Sequence, residues 1–279
     1  MIIGFCNEKG GVSKTTLAVH AATWLARRGW RVALVDLDTQ AGVSHFFGVD
    51  PADDVAELLR AALFLRQDRR PPVTSFLLQC PRYDNLVLLR GCDATGEVEA
   101  DLHQPRRPRP GEVLAQALQP LTDRGVIVVA DTGPYAGKLQ EGVLDSADHV
   151  FVPGKPEGAT EAAILKVGMH LKGLSRTVTG LIPTLYDIRS KKHAETIRDW
   201  KHAGGVGRLV YYDPQRVLLG LPHRVVWGQL YRTGRPIWDV TPADVECDRS
   251  TLDTAIREMT AILRRLEFDV GLSRRNNSV

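Results

Sequence analysis

The chain has 279 residues, 43% of them hydrophobic and 25% charged, with a formal net charge of +3. That length can bury a substantial core. No run of 18 or more apolar residues occurs, which excludes a membrane-spanning helix. Four scattered cysteines (Cys6, Cys80, Cys92, Cys247) form no C-x-x-C pair, and the N-terminus has no signal-peptide pattern. Both features argue against a disulfide framework and suit the cytoplasm.

In chain order, "MIIGFC" is a short buried strand and "EKGGVSKTT" a glycine-containing loop. "KTTLAVHAATWLARRG" places Leu17, His20/Ala21, Trp24 and Leu25 at helical spacing, closed by Gly29. "RVALVDLD", "GVIVVADTGP", "DHVFVPGKP" and "VTGLIPTLYD" are further continuous apolar strands, the first two running into acids. Apolar strands alternating with helical segments predict a single doubly wound α/β domain over 1–268, with a mostly parallel central sheet flanked by helices. Ligands of such sheets bind beyond the carboxyl ends of the strands, where these acids and glycines collect. "RQDRRPPVTS" (66 to 75) and "HQPRRPRPGE" (103 to 112) read as exposed loops, and 269–279 as a disordered tail.

The loop is the most informative stretch. Between an apolar strand and a helix start, backbone N–H groups and the helix dipole favour an anion. Gly10 and Gly11 permit close approach, Lys14 reaches the β- and γ-phosphates of a nucleotide, and the Thr15 hydroxyl suits Mg²⁺. Glu8 and Ser13 stand where the common G-x-x-x-x-G-K-[ST] pattern has glycine, and Lys9 is a second lysine before the glycine pair.

In this the chain resembles the ParA/MinD family of deviant Walker ATPases, whose loop reads K-G-G-x-x-K-[ST]; Lys9 to Thr15 match it in full. "VALVDLDTQAG" (32 to 42) resembles the family's V-D-x-D-P-Q-G segment, with Thr39 replacing proline. "VVADTGP" (128 to 134) resembles its D-x-P-P segment, with Gly133 in place of the first proline. "TLYDIR" (184 to 189) is similar to the T-M-Y-D-x-R stretch of the partition branch, and residues 221 to 239 resemble a later I-P-R-N-V region loosely.

The resemblance implies ATP and Mg²⁺ as ligands and a slow ATPase stimulated by DNA and a partner protein. Gly10, Gly11, Val12, Ser13, Lys14, Thr15 and Thr16 would hold phosphates, while Thr184 and Pro222 would border adenine. Thr15, Asp36 and Asp131 would serve the metal, directly or through water, and Asp38 would orient the attacking water. Lys9 would reach the nucleotide of the partner copy across an ATP-sandwiched homodimer. Implied partners are non-specific double-stranded DNA and a ParB-like protein, with no membrane and a place on the nucleoid.

The C-terminal third adds a charge argument. Residues 189–279 carry 16 Lys/Arg against 11 Asp/Glu, and the first 188 carry 20 against 22. Between Asp213 and Asp239 there is no acid, while Arg216, Arg224, Arg232 and Arg235 alternate with Trp227, Tyr231 and Trp238. A basic patch with aromatic neighbours suits DNA phosphates; snorkelling arginines around a satellite core are the structural alternative.

Other readings stay open. A membrane-cycling ATPase like MinD needs an amphipathic C-terminal anchor, whereas apolar positions 252, 256, 259, 263 and 266 suit a helix packed on its own domain. An electron-delivering ATPase like the nitrogenase iron protein needs cluster cysteines. Ser13 and Gly133 leave room for a nucleotide-dependent DNA-binding module with little turnover.

Overall fold

The computed structural model describes residues 1–105, 107–200, 211–212, 215 and 217–272. Arg216 and residues 273–279 of the expected tail lie outside the described residues.

Five of the eight strands among the described residues follow from continuous apolar runs: β1 (Ile2–Phe5), β2 (Val32–Leu37), β5 (Ile127–Thr132), β6 (His149–Gly154) and β7 (Gly180–Tyr186). β1, β2 and β5 are buried at every position, as strands covered on both faces must be. The expectation of a doubly wound, mostly parallel sheet holds. The strand order is β3-β4-β2-β5-β1-β6-β7-β8, where β3 (Leu78–Gln79), β4 (Leu86–Leu89) and β8 (Leu221–Pro222) were not expected from sequence. β3 pairs antiparallel with β4, and all other pairings are parallel.

Ten helices are described: α1 (Lys14–Arg27), α2 (Gly42–Phe47), α3 (Asp54–Phe64), α4 (Ala94–Leu102), α5 (Pro110–Thr122), α6 (Lys138–Ser146), α7 (Gly158–Gly173), α8 (Lys191–Trp200), α9 (Val225–Thr233) and α10 (Arg249–Asp269). They supply two core layers. Side chains of α3 to α8 meet one sheet face through residues such as Val55, Leu118, Val143, Ile164 and Trp200. α1, α2, α9 and α10 cover the other through Leu17, Phe46, Trp227 and Leu263.

The two stretches read as exposed loops are exposed at most of their described positions, with some local structure. Residues 67–69 and 73–76 form short 3₁₀ turns, and Val73 and Phe76 are buried. In the second stretch Pro110 opens α5, where a missing N–H costs nothing. α10 runs to Asp269, and Val270 is buried. Leu252, Met259, Leu263 and Leu266 of α10 are buried in the domain.

The topology decides where the site forms. β1 lies between β5 and β6, and β2 lies beyond β5, so the chain reverses direction across the sheet around β1. Phe5 is opposite Asp131, and Asp131 is opposite Asp36 in register. The phosphate-type loop and both acid-bearing strand ends therefore emerge side by side at the carboxyl ends of the central strands.

Candidate nucleotide site

The loop from Cys6 to Ser13 is held at several points. Asn7 Nδ2 donates to the Pro153 carbonyl at the end of β6 (2.6 Å), and Asn7 Oδ1 accepts from Lys9 N (2.9 Å). The Thr184 hydroxyl on β7 donates to the Val12 carbonyl (3.0 Å). Thr132 Oγ1 donates to the Phe5 carbonyl at the end of β1 (2.9 Å). Two loop residues take left-handed backbone, Gly11 (φ 67°) and Ser13 (φ 63°). At Ser13, where glycine is usual, an L-residue pays steric strain for a turn that glycine adopts freely.

Lys14 is buried, and its ammonium donates to the Lys9 carbonyl at 3.0 Å. Burial lowers its pKa, while Asp131 and Asp38 nearby oppose that shift. Lys9 itself is exposed on the loop. Glu8, by contrast, is tied to Lys166 at 2.8 Å.

The three acids differ in what their oxygens do. Asp36 is fully buried and accepts from two backbone amides, Asp38 N (3.2 Å) and Val43 N (3.0 Å). Asp38 Oδ1 accepts from Gln40 N at 3.0 Å. Asp131 is fully buried, and neither of its oxygens meets a hydrogen-bond donor. Burial pushes the Asp131 carboxyl up to about 7, although the nearby Thr15 hydroxyl and Lys14 ammonium pull it down. Asp36 is raised as well, by burial first and then by Asp131 beside it. Two adjoining carboxylates without a cation are costly.

No group of three or more His, Cys, Asp or Glu able to hold a metal occurs among the described residues. The donor set still suits Mg²⁺ bound in the P-loop manner, through one hydroxyl, phosphate oxygens and water rather than a carboxylate cage. Thr15 would supply the hydroxyl, and the unpartnered Asp131 oxygens would accept from its water ligands.

A cavity of about 310 Å³ opens above the loop. Gly10 to Thr16 line it with Asp38, Pro134, Leu185, Trp227, Gly228 and Tyr231. The last four were not expected from sequence. Leu185 belongs to a β-bulge where β7 shifts register against β8, and its φ is 52°. Its side chain also borders a second cavity of about 600 Å³, which includes Tyr186, Arg189, Pro222, His223 and Arg224. Thus Thr184 braces the loop from behind, and Pro222 lines the neighbouring cavity rather than this one. Gly133, where the family has proline, lies against Asp38: a Cβ there would come within 3.3 Å of Asp38 Oδ1.

The arginine stretch folds differently from a bare basic patch. Arg224 makes a bidentate ion pair with Glu258 of α10 (2.8 and 2.6 Å), with 23% of its side chain exposed. Arg232 pairs with Glu246 at 2.7 Å, and Arg235 lies 3.9 Å from Asp244. The acids that answer these arginines come from later segments. The interleaved aromatics face inward: Trp227 is buried, Trp238 packs on His20 and Trp24, and Tyr231 packs on Phe46. All four cysteines are free thiols, two buried and two half-buried.

Comparison with known proteins agrees with this geometry. Two rhizobial proteins provisionally named replication protein A, from Rhizobium rhizogenes and Sinorhizobium fredii, are 33% and 31% identical over 164 and 204 residues. Those matches cover 56% and 71% of this chain but 40% and 48% of the relatives, so the chain spans less than half of their length. The chromosome-partitioning ATPase Soj of Treponema pallidum is 27% identical over 201 residues, covering 70% of this chain and 75% of Soj. Among solved structures, an ATP complex of a McdA variant from Cyanothece superposes with a TM-score of 0.74 at 15% identity, covering 98% of this chain and 96% of that one. Cobyrinic acid a,c-diamide synthase from Mycobacterium smegmatis, with bound ATP analog and magnesium, gives 0.64 at 25% identity over 83% of this chain and 91% of that one. A family model described as an AAA domain matches residues 1–177. Its span takes in the loop, both acid-bearing strand ends and the sheet between them, and the chain belongs to that family, in its ParA/MinD branch.

Proposed function

We propose that the chain is an ATP-operated partitioning switch: it binds Mg-ATP, closes into a nucleotide-sandwich homodimer, binds double-stranded DNA without sequence preference, and is released by slow hydrolysis. The observation that carries this is a buried Lys14 near a buried, unpartnered Asp131, at a loop whose residues 10 to 16 line a cavity. Lys14 would meet a phosphate of a bound magnesium–triphosphate, and Asp131 would accept from water ligands of the cation, which would offset both costs. The name of the Treponema pallidum relative, a chromosome-partitioning ATPase, supports partition.

In the reaction, loop amides and Lys14 neutralise charge on the β- and γ-phosphates as the bond to the γ-phosphorus loosens. Thr15, and Asp131 through water with Asp36 behind it, would hold Mg²⁺, which would supply further charge neutralisation. Asp38 has one oxygen committed to Gln40 N, which leaves the other to orient the attacking water. Lys9 is exposed at the rim, where the nucleotide of a second copy would meet it. Turnover is slow alone because that second lysine acts only in the dimer, and a ParB-like partner would complete it. The setting is the cytoplasm, on the nucleoid.

DNA contact falls to Arg232 and Arg235, whose pairs are open to water and can exchange carboxylate for phosphate. Arg224 is committed to Glu258 and holds α9 to α10. Light scattering of the protein with ATP, ADP and no nucleotide tests the switch. ATP alone should double the mass, and Lys9→Ala should remain monomeric while still binding nucleotide.

A module with little turnover is the second reading, favoured by the left-handed Ser13 and by Gly133 against Asp38. Phosphate release with and without DNA separates the two.

A further inference from the structure

The segment that backs Asp38 is tied down from outside the site. Gly133 to Gly137 lead from the end of β5 to the start of α6. Gly133 lies against the Asp38 carboxylate, and Pro134 lines the nucleotide cavity beside Gly10. Away from the nucleotide, the segment borders a separate cavity of about 400 Å³, which Thr39, Gly96 and Glu99 also line, and Tyr135 is 61% exposed. Packing therefore does little to fix the segment on that side. A carboxylate does so instead. Glu99 on α4 accepts from the backbone amides of both Lys138 and Leu139, the second at 2.9 Å. The first amides of a helix need such an acceptor, and α6 has no side-chain cap of its own because Gly137 stands at its N-cap. The approach requires that glycine, since a Cβ there would come within 2.5 Å of Glu99 Oε1. The same helix meets the turn after Asp38, where a Cβ at Gly96 would come within 3.2 Å of Thr39 Cγ2. α4 thus touches both the residue that follows Asp38 and the end of the segment that backs it.

We propose that Glu99 is a positioning residue for hydrolysis: by tying α6 to α4 it holds Gly133 in place, and Gly133 keeps the free oxygen of Asp38 turned toward the attacking water. Asp38 is held by one bond, from Gln40 N to Oδ1, so its carboxylate can swing about that contact unless a wall limits it. Gly133 is that wall. The contacts printed on the phosphate loop and Lys14 do not involve Glu99, so nucleotide affinity is independent of the tie. The inference rests on the reading of Asp38 given above and adds a residue to it.

The test is Glu99→Ala, followed by phosphate release at saturating ATP, affinity for a fluorescent ATP derivative, and melting temperature. Turnover should fall about tenfold or more, because small misplacements of reacting groups cost that much. Affinity should stay near wild type, and melting temperature should drop with the lost cap. A second variant, Glu99→Ala with Gly137→Ser, gives α6 a cap from its own N-cap residue without restoring the tie to α4. Removing the Glu99 side chain also clears the space that the new Cβ needs. Melting temperature should then return toward wild type while turnover stays low. Unchanged turnover in Glu99→Ala overturns the proposal, as does turnover that recovers together with melting temperature in the double variant, which marks a capping role alone. Equal loss of affinity and turnover overturns it too, as a general collapse of the site. Wild-type protein that releases no phosphate, or an Asp38→Ala protein as fast as wild type, would bring down the underlying reading and this inference with it.

Discussion

The Thr184 hydroxyl donates to the Val12 carbonyl at 3.0 Å, joining β7 to a loop 172 residues earlier. Both groups are buried, so the bond sets the height of the phosphate loop above the sheet. Thr184→Val keeps the shape and orphans the Val12 carbonyl, which costs about 1–3 kcal/mol. A chemical denaturation curve should show that loss, and nucleotide affinity should fall with it. Unchanged stability would mean the loop is held elsewhere.

Ser13 supplies the opposite prediction. Its left-handed backbone costs an L-residue roughly 1–2 kcal/mol. Ser13→Gly relieves that strain but adds freedom to the unfolded chain, leaving a net gain of about 1 kcal/mol. The variant should melt a few degrees higher and bind nucleotide at least as well. A lower melting temperature would show that the serine side chain makes a compensating contact.

Asp38→Ala should bind ATP and dimerise yet release phosphate far more slowly than wild type, because the Lys14 and Thr15 contacts remain. A hydrolysis assay at saturating ATP decides this. Wild-type turnover by the variant would remove Asp38 from the water-orienting role.

His20 makes stability depend on pH. It is fully buried on α1, with Nδ1 2.6 Å from the Thr16 carbonyl and Nε2 accepting from Ile237 N at 3.1 Å. Burial depresses its pKa to about 4, so the neutral ring fits and the charged ring does not. The unfolded chain protonates first, near pH 6.5, and takes up protons that the folded state refuses. Stability from this group is therefore intact above about pH 6.5 and lost as pH falls toward 4, up to about 3 kcal/mol. Melting temperature should drop over that window in wild type and less in His20→Gln, which starts lower but cannot titrate. Equal slopes would assign the acid sensitivity to other groups.

What could be read from the sequence divides along physical lines. The strands buried on both faces announce themselves as apolar runs, and β1, β2 and β5 carry the loop and the acids with them. β4 is an apolar run as short as β1 but with no loop motif after it to mark it as a strand, and β8 is two residues, too short to give a period. The acid-free arginine window is a property of the sequence alone, because the partners of Arg232, Arg235 and Arg224 are 14, 9 and 34 residues further on. Leu185 and Tyr231 reach the cavity through a bulge and a helix packing angle, neither of which leaves a local pattern. Trp227, Leu230 and Tyr231 do show helical spacing, which marks a buried face but not what that face covers.

The central claim is that ATP switches this chain onto DNA, and fluorescence anisotropy with two unrelated duplexes across a salt series measures it most directly. Wild type with ATP should bind both duplexes equally, and it should bind neither with ADP; Lys14→Ala should bind neither under any condition. Arg232 and Arg235 from two copies give four phosphate contacts, hence a slope of roughly −4 in log affinity against log salt. Reversing both to glutamate should abolish binding while the ATP dimer persists. Binding that is indifferent to nucleotide, or that survives in the charge-reversed dimer, would contradict the account.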